Sequence, residues 1–298
     1  MPVLTNEALK WHVNRLQSLP ADLRQFYADI FTAQIELLPE EGFLILPPAA
    51  RVESCWRQGR ALASMGFPAE VKANVVRAAR ANICQLAMVL GKHVFFLQGA
   101  GIGVEMPEPV LAEKSYACLQ ELLEHYDLDP ARVPAHNLQD AGVKAEWFVA
   151  LAALAPLYVQ YGQAVSRRFN LDGWRNGYCP VCGLAPAMAK IVAPEGKRVL
   201  ECWFCATQWV FPRLKCPFCG NDRPYELGQW YLEDDPDVRA AYCKVCNRYL
   251  KVLDAEARNG EAILALENLA TWQLDLAVQG RGYLPGAGCA VLPGFPRY

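Results

Sequence analysis

Apolar residues recur every three or four positions through most of the first 172 residues, which is the spacing of one face of an α-helix. The clearest runs are 23–38, 71–94 and 119–126, and prolines stand near the ends of the first two. This pattern predicts an all-helical domain over residues 1–172.

The last part of this region is the most apolar. Residues 141–169 complete the helical pattern, and Pro156 is expected to kink or split the helix there. The apolar run Trp147–Tyr161 is shorter than the ~20 residues that a membrane span needs. We therefore expect a buried helix and no membrane span.

After residue 172 the helical period gives way to short β-prone runs separated by Pro and Gly. A helical period returns over Asn259–Gln279. The pattern predicts an α+β fold in which the helical domain is followed, over 173–254, by two tandem rubredoxin-like or zinc-ribbon β units, and over 255–298 by a helix and an irregular tail. The units are expected at about 176–211 and 212–254. Predicted strands are 188–193, 198–203, 208–211, 225–232, 238–242 and 248–253.

Eight of the twelve cysteines lie in the β region as four Cys-x-x-Cys pairs. Such a turn directs two sulfurs to the same side of a tight loop, and two turns supply the four thiolates of a tetrahedral metal site. The predicted metal ligands are Cys179, Cys182, Cys202, Cys205, Cys216, Cys219, Cys243 and Cys246.

The four pairs form two similar units. Cys179 and Cys216 are offset by 37 residues, and Cys202 and Cys243 by 41, which indicates a tandem duplication with a small insertion. Sequential grouping, with the first four cysteines in one site and the last four in the other, is the simplest arrangement. Spacing alone leaves an interleaved grouping open.

The residue after each pair is expected to need a positive φ. Gly183 and Gly220 adopt it freely, and Asn247 at modest cost, whereas Ala206 fits this expectation poorly. Zinc and iron both accept four thiolates, and the spacing does not separate them. A structural metal, a redox-active iron or dithiol, and disulfides are the alternatives, of which a scaffold role is the commonest use of such motifs.

Composition narrows the functional classes and the location to be expected. The 31 acidic and 29 basic residues give a net charge of −2, and this disfavours a protein whose main task is to bind nucleic acid. Basic pairs such as Lys197/Arg198, and the Arg248/Lys251 region, are more typical of solvated faces. The N-terminal residues lack a secretory pattern, so we expect a cytoplasmic, reducing location, which favours metal over disulfides.

No catalytic signature is found elsewhere. The glycines at 99, 101 and 103 do not have phosphate-loop spacing, and no Ser/His/Asp signature is found. The histidines are isolated and are expected to be structural or surface residues: His12, His93, His125 and His136. Four further cysteines stand alone, and the first three are expected to be small core residues: Cys55, Cys84, Cys118 and Cys289. We therefore expect a protein that is not an enzyme.

Five motifs stand out in this half of the chain: Cys-Pro-Val-Cys-Gly at 179–183, Glu-Cys-Trp-Phe-Cys-Ala-Thr-Gln-Trp at 201–209, Lys-Cys-Pro-Phe-Cys-Gly-Asn at 215–221, Tyr-Cys-Lys-Val-Cys-Asn-Arg-Tyr-Leu-Lys at 242–251 and Asn-Leu-Ala-Thr-Trp-Gln-Leu-Asp-Leu at 268–276. In this combination they resemble the FdhE family of formate dehydrogenase accessory proteins. The resemblance is clear over about 176–285. It implies a cytoplasmic maturation factor that contacts the catalytic subunit of respiratory formate dehydrogenase and binds metal, iron or zinc, through its eight cysteines.

Two other hypotheses belong to different functional classes. One is a rubredoxin-like iron protein that carries electrons for a partner enzyme, which the same ligand set would support. The weaker one is nucleic-acid binding by zinc ribbons, which only a few basic pairs support.

Overall fold

The fold was analysed in a computed structural model that describes residues 13–37, 45–93, 107–129, 131, 145–258 and 262–286. In the N-terminal half, the described residues form five α-helices and two short 3₁₀ helices, Val13–Ser18 and Leu62–Met65. The α-helices are α1 (Ala21–Glu36), α2 (Ala49–Arg57), α3 (Ala69–Lys92), α4 (Glu108–Tyr126) and α5 (Ala145–Arg168). The predicted helical character of this region is confirmed.

The apolar faces predicted from periodicity are the buried faces. On α1, Leu23, Phe26, Tyr27 and Ile30 are buried, and α3 buries its own stripe against α4 and α5. Burial of such a stripe supplies most of the stability of a helix in a protein, since propensity alone is marginal.

Helix α5 lies at the centre of this bundle. It is one element that runs through Pro156, so the predicted split does not occur. By length and composition it is the one described helix that could cross a membrane, but 67% of its most apolar window is buried inside the structure. This is the placement of a core helix.

The C-terminal half forms a mixed sheet. Its strands are β1 (Pro186–Val192), β2 (Lys197–Cys202), β3 (Gln208–Val210), β4 (Leu227–Leu232), β5 (Asp235–Cys243), β6 (Arg248–Asp254) and β7 (Leu284–Pro285). They follow the predicted runs, except that β5 begins inside the predicted acidic loop, three residues before Val238.

The two predicted β units share this one sheet. Its strand order is β3-β2-β1-β6-β5-β4, and neighbours within each unit are antiparallel. The units meet where β1 and β6 pair in parallel, with Met188 opposite Lys251 and Ile191 opposite Asp254. The short β7 pairs in parallel with the beginning of β6. The predicted boundaries at 172/173 and 254/255 stay predictions.

The C-terminal helix is shorter than expected. Residues 259–261 lie outside the described residues, and beyond them stand two short helices, α6 (Leu264–Ala270) and α7 (Trp272–Gln279). They are separated at Thr271, whose hydroxyl donates to the carbonyl of Glu267 at 2.8 Å. A threonine that bonds back to the preceding turn commonly bends a helix.

Two hydrophobic cores result. The main core joins the helical bundle to the first β unit, from Phe26 and Tyr158 through to Leu200 and Trp209. The smaller core lies between the sheet and the last two helices, and it contains Met188, Val238, Leu253, Leu264 and Leu274.

Candidate metal centres

Each Cys-x-x-Cys pair forms a tight turn that ends in a left-handed residue. The φ angles are 80° at Gly183, 52° at Ala206, 75° at Gly220 and 54° at Asn247. The expectation for the glycines and the asparagine is confirmed. Ala206 adopts the same conformation although its Cβ makes that conformation cost about 1–2 kcal/mol. The turn geometry is therefore shared by all four pairs.

Backbone hydrogen bonds close these turns in the same way. The amide of Cys179 donates to the carbonyl of Leu184 at 2.8 Å, and the amide of Gly183 donates back to the carbonyl of Cys179 at 3.0 Å. The turns at Cys202 and Cys216 repeat both bonds, and Cys243 faces Arg248 in the β5–β6 ladder. These bonds position both sulfurs of a pair on one side of the turn.

The turns bring the eight cysteines together as two clusters in the sequential grouping. Within each cluster the four Sγ atoms all lie within 4.8 Å of one another: Cys179, Cys182, Cys202 and Cys205 in the first, and Cys216, Cys219, Cys243 and Cys246 in the second. The interleaved alternative is not what the structure shows.

The sulfur separations suit a tetrahedral ion. With metal–sulfur bonds of about 2.3 Å, sulfurs at tetrahedral corners lie about 3.8 Å apart. The second cluster has Cys216–Cys246 and Cys219–Cys243 separations of 3.7 Å. In the first cluster the closest separations are 3.3–3.4 Å. All eight thiols are free in the structure, and these distances far exceed the ~2.05 Å of a disulfide.

The acidity of the cysteines also fits a cation. Burial, reinforced by the neighbouring thiols, raises the pKa of Cys182 and Cys202. Burial also acts to raise the pKa of Cys243, but hydrogen bonds from the backbone of Cys246 and the side chain of Asn221 lower it to about 7. Four thiols at this separation cannot all ionise without a positive charge between them, which is what a divalent metal supplies.

The first cluster is enclosed by the helical region. The carbonyl of Pro180 accepts from the Leu62 amide at 3.0 Å and from the Trp56 indole at 3.1 Å, and the carbonyl of Val181 accepts from the Ala63 amide at 2.8 Å. The first cysteine turn is thus bonded directly to the segment after α2.

Helix α5 covers the other turn of the first cluster. Phe204 packs against Tyr158 with ring centroids 5.1 Å apart, and both side chains are buried. Gly162 lies against Thr207, whose hydroxyl is 3.1 Å from the sulfur of Cys205. A β-carbon at position 162 would come within 2.4 Å of that hydroxyl, so the close approach requires glycine.

The second cluster is more open. Cys216 and Cys243 are buried, but Cys219 is exposed and Cys246 is half-buried. Among the aromatic residues near the cysteine pairs, Phe204 and Trp209 are buried, and Trp203, Phe218 and Tyr242 are half-buried.

Two basic residues expected on solvated faces are buried. Arg198 is 5% exposed, and its guanidinium donates to the carbonyls of Pro212 and Lys215 in the segment between the two cysteine units. Burial lowers the pKa of Arg198 to about 10. Strand alternation was the available signal, because Arg198 shares the inward face of β2 with Leu200 and Cys202.

Lys251 is the second such residue. Its ammonium lies 2.5 Å from both a carboxylate oxygen of Asp275 and the carbonyl of Asn268, and the Tyr249 hydroxyl donates to the other oxygen of Asp275 at 2.7 Å. This network joins β6 to α6 and α7.

The isolated residues divide as follows. Cys55 and Cys118 are buried as expected, whereas Cys84 is exposed on α3, so that expectation is wrong. His93 bonds Asp29 at 2.9 Å and packs on Phe26, which is a structural role. His125 is exposed on α4, and the other candidates lie outside the described residues: His12, His136, Cys289 and the glycines at 99, 101 and 103.

Comparison with known proteins gives a consistent result. A model of the FdhE central domain matches residues 178–213. The chain is 33% identical over 140 residues to an FdhE homolog of Aquifex aeolicus, covering 46% of this chain and 48% of that protein. It is 32% identical over 136 residues to FdhE of Escherichia coli K12, covering 44% and 43%. Together these matches show that the chain is similar to FdhE proteins over slightly less than half of its length.

A solved structure agrees in fold. The crystal structure of FdhE from Pseudomonas aeruginosa matches with a TM-score of 0.63 at 20% identity, covering 96% of this chain and 94% of that one. The sequence matches to the curated FdhE proteins span about half of their length. The predicted α+β fold, with a helical region before a sheet, is thus shared with that FdhE structure.

Proposed function

We propose that the chain is a non-catalytic accessory protein required for assembly or activity of respiratory formate dehydrogenase, and that it binds the catalytic subunit in the cytoplasm. The observation that carries this proposal is the pair of four-cysteine clusters on a fold shared with FdhE. The family resemblance supplies the partner.

The eight cysteines are proposed as the ligands of two metal ions, iron or zinc. A tetrahedral site with four protein ligands has no open position for substrate, in contrast to catalytic zinc sites. When bound, such an ion supplies charge compensation and cross-links the turns, and iron would add a one-electron couple. Each ribbon then presents a fixed surface to a partner.

Gene deletion in the host organism tests the accessory role. We expect loss of formate oxidation by the respiratory enzyme, its restoration by the intact gene, and co-purification of the catalytic subunit with the tagged chain from cytoplasmic extract. Unchanged formate oxidation in the deletion strain would remove the proposal.

Single cysteine variants test the ligand assignment. We expect Cys179→Ser and Cys216→Ser each to lose one ion and to unfold the corresponding ribbon, because small metal domains take much of their folding free energy from the ligand bonds. Metal analysis and thermal melting of purified protein measure both effects. Full metal content with an unchanged melting curve would contradict the assignment.

A rubredoxin-like redox role is the second candidate, since the exposure of Cys219 gives a partner access to the second cluster. Protein purified without air would then contain iron and show a visible absorption band that changes reversibly on oxidation. A colourless zinc protein without such a change would eliminate this candidate and leave the scaffold role.

A further inference from the structure

The duplicated units allow each cysteine to be compared with its counterpart. The first members of the pairs are buried in both units, Cys179 like Cys216 and Cys202 like Cys243. The second members differ, because Cys182 is fully buried whereas its counterpart Cys219 is exposed. The local turn is the same, so the difference in access arises from what covers each turn.

The cover of the first unit is built from distant parts of the chain. The turn that contains Cys182 has both central carbonyls bonded to the segment 61–63 and to Trp56, and α5 covers the opposite turn. A reagent in solution therefore meets backbone and packed side chains before it meets any of these sulfurs.

The second unit has cover on one side. Gly177 and Gly286 lie directly against its first turn. A β-carbon at position 177 would meet the backbone of Pro217 at 1.8 Å, and a β-carbon at position 286 would meet the ring of Phe218 at 1.6 Å. Across the cluster, Val245 in the other turn is 48% exposed. Cys219, at the end of the first turn, is exposed despite this cover.

We propose that Cys219 is a modification site for small soft electrophiles, and that the second cluster is reagent-accessible whereas the first is closed. In the reaction of the free Cys219 thiol with iodoacetamide, the sulfur forms a bond to the methylene carbon, iodide leaves and the thiol proton goes to solvent; in a metal-loaded cluster the sulfur would already be a thiolate, and no proton would be released. The product is a thioether and no longer a thiolate ligand. The inference does not require a bound metal. It rests on the proposed function only when the sample is metal-loaded protein.

A timed labelling experiment on the intact chain tests this inference. Protein purified without air is exposed to a brief pulse of iodoacetamide, quenched, digested and analysed by mass spectrometry. Cys84, which is exposed on α3 and outside both clusters, is the internal reference. We expect label at Cys219, localised by fragmentation of its peptide, to appear before label at the other seven cluster cysteines, and Cys182 to react only after denaturation.

Two matched variants complete the design. Cys219→Ser should remove the label at position 219 and leave the Cys84 label unchanged, whereas Cys84→Ser should remove the Cys84 label and leave the early label at Cys219. Equal loss of the Cys182 and Cys219 peptides, or no reaction at Cys219 while Cys84 reacts, would overturn the inference.

Metal content measured on the same sample separates this inference from the proposed function. Protein without metal that still reacts first at Cys219 keeps the modification site and removes the metal proposal. Metal-loaded protein that reacts equally at both clusters keeps the metal proposal and removes the modification site.

Discussion

The buried ion pair between Lys251 and Asp275 connects the centre of the sheet to the C-terminal helices. Lys251 is 3% exposed, and its ammonium is 2.5 Å from the Asp275 carboxylate. Asp275→Asn keeps the side-chain volume but leaves the ammonium without a countercharge. Because an uncompensated buried charge costs about 3–5 kcal/mol, we expect the free energy of unfolding to fall by about that amount at neutral pH.

The loss should depend on pH in a known direction. Burial lowers the pKa of Lys251, and the charge of Asp275 works against this shift. Removal of that charge lowers the folded-state pKa further, while the unfolded value stays near ~10.4. Between these two pKa values the folded state binds fewer protons than the unfolded state, so the stability of the variant rises with pH. The deficit should therefore shrink in alkaline solution.

Urea unfolding followed by far-UV circular dichroism, at neutral pH and at about pH 9.5, measures the deficit. The matched control is the double variant Lys251→Met/Asp275→Leu, which removes both charges and keeps apolar volume. It should lie within about 1–2 kcal/mol of the parent protein, because the desolvation cost disappears with the charges. An Asp275→Asn protein as stable as the parent, or a deficit that grows with pH, would refute this reasoning.

Three further substitutions test how the first cluster is enclosed, all by urea unfolding of the full chain. Gly162→Ala should destabilise by about 1–2 kcal/mol, and by less in a Thr207→Ala background, where the clashing hydroxyl is gone and the Cys205 carbonyl, 3.2 Å from the new methyl, remains; equal effects in both backgrounds would contradict the packing. Phe204→Ala should cost about 3–5 kcal/mol, and a cost typical of a surface site would show that the ring is not part of the core. Trp56→Phe should lower the free energy of unfolding by about 1 kcal/mol, because the hydrogen bond from the indole to the Pro180 carbonyl is lost. No change would show that this hydrogen bond does not contribute to stability.

The features that the sequence predicts well are those encoded within a few residues. Helical stripes and cysteine turns are local, and so are the positive φ angles at Gly183, Gly220 and Asn247. Ala206 shows the strength of this local pattern, because the turn imposes a left-handed conformation on a residue that disfavours it. Each turn fixes the positions of its two sulfurs. Which cysteines share a cluster is then decided by which two turns face each other.

Features that depend on distant contacts were not predicted. The parallel pairing of β1 with β6 joins strands about 60 residues apart, and the residue pattern of neither strand predicts which strand it pairs with. The burial of Arg198 and Lys251 has the same origin: partners from other elements accept their hydrogen bonds. A basic residue with such partners is compatible with a buried position, although basic residues are mostly exposed.

The same distinction explains why two copies of one motif differ in accessibility. Turn conformation and ligand type are repeated, but the first copy lies against α5 and the segment after α2, while the second has a side open to solvent. Accessibility governs whether a thiolate site reacts, exchanges ligands or only holds structure. In a duplicated ribbon, one closed site can therefore attach the sheet to the helical bundle. The other site can then face a partner while this attachment is kept.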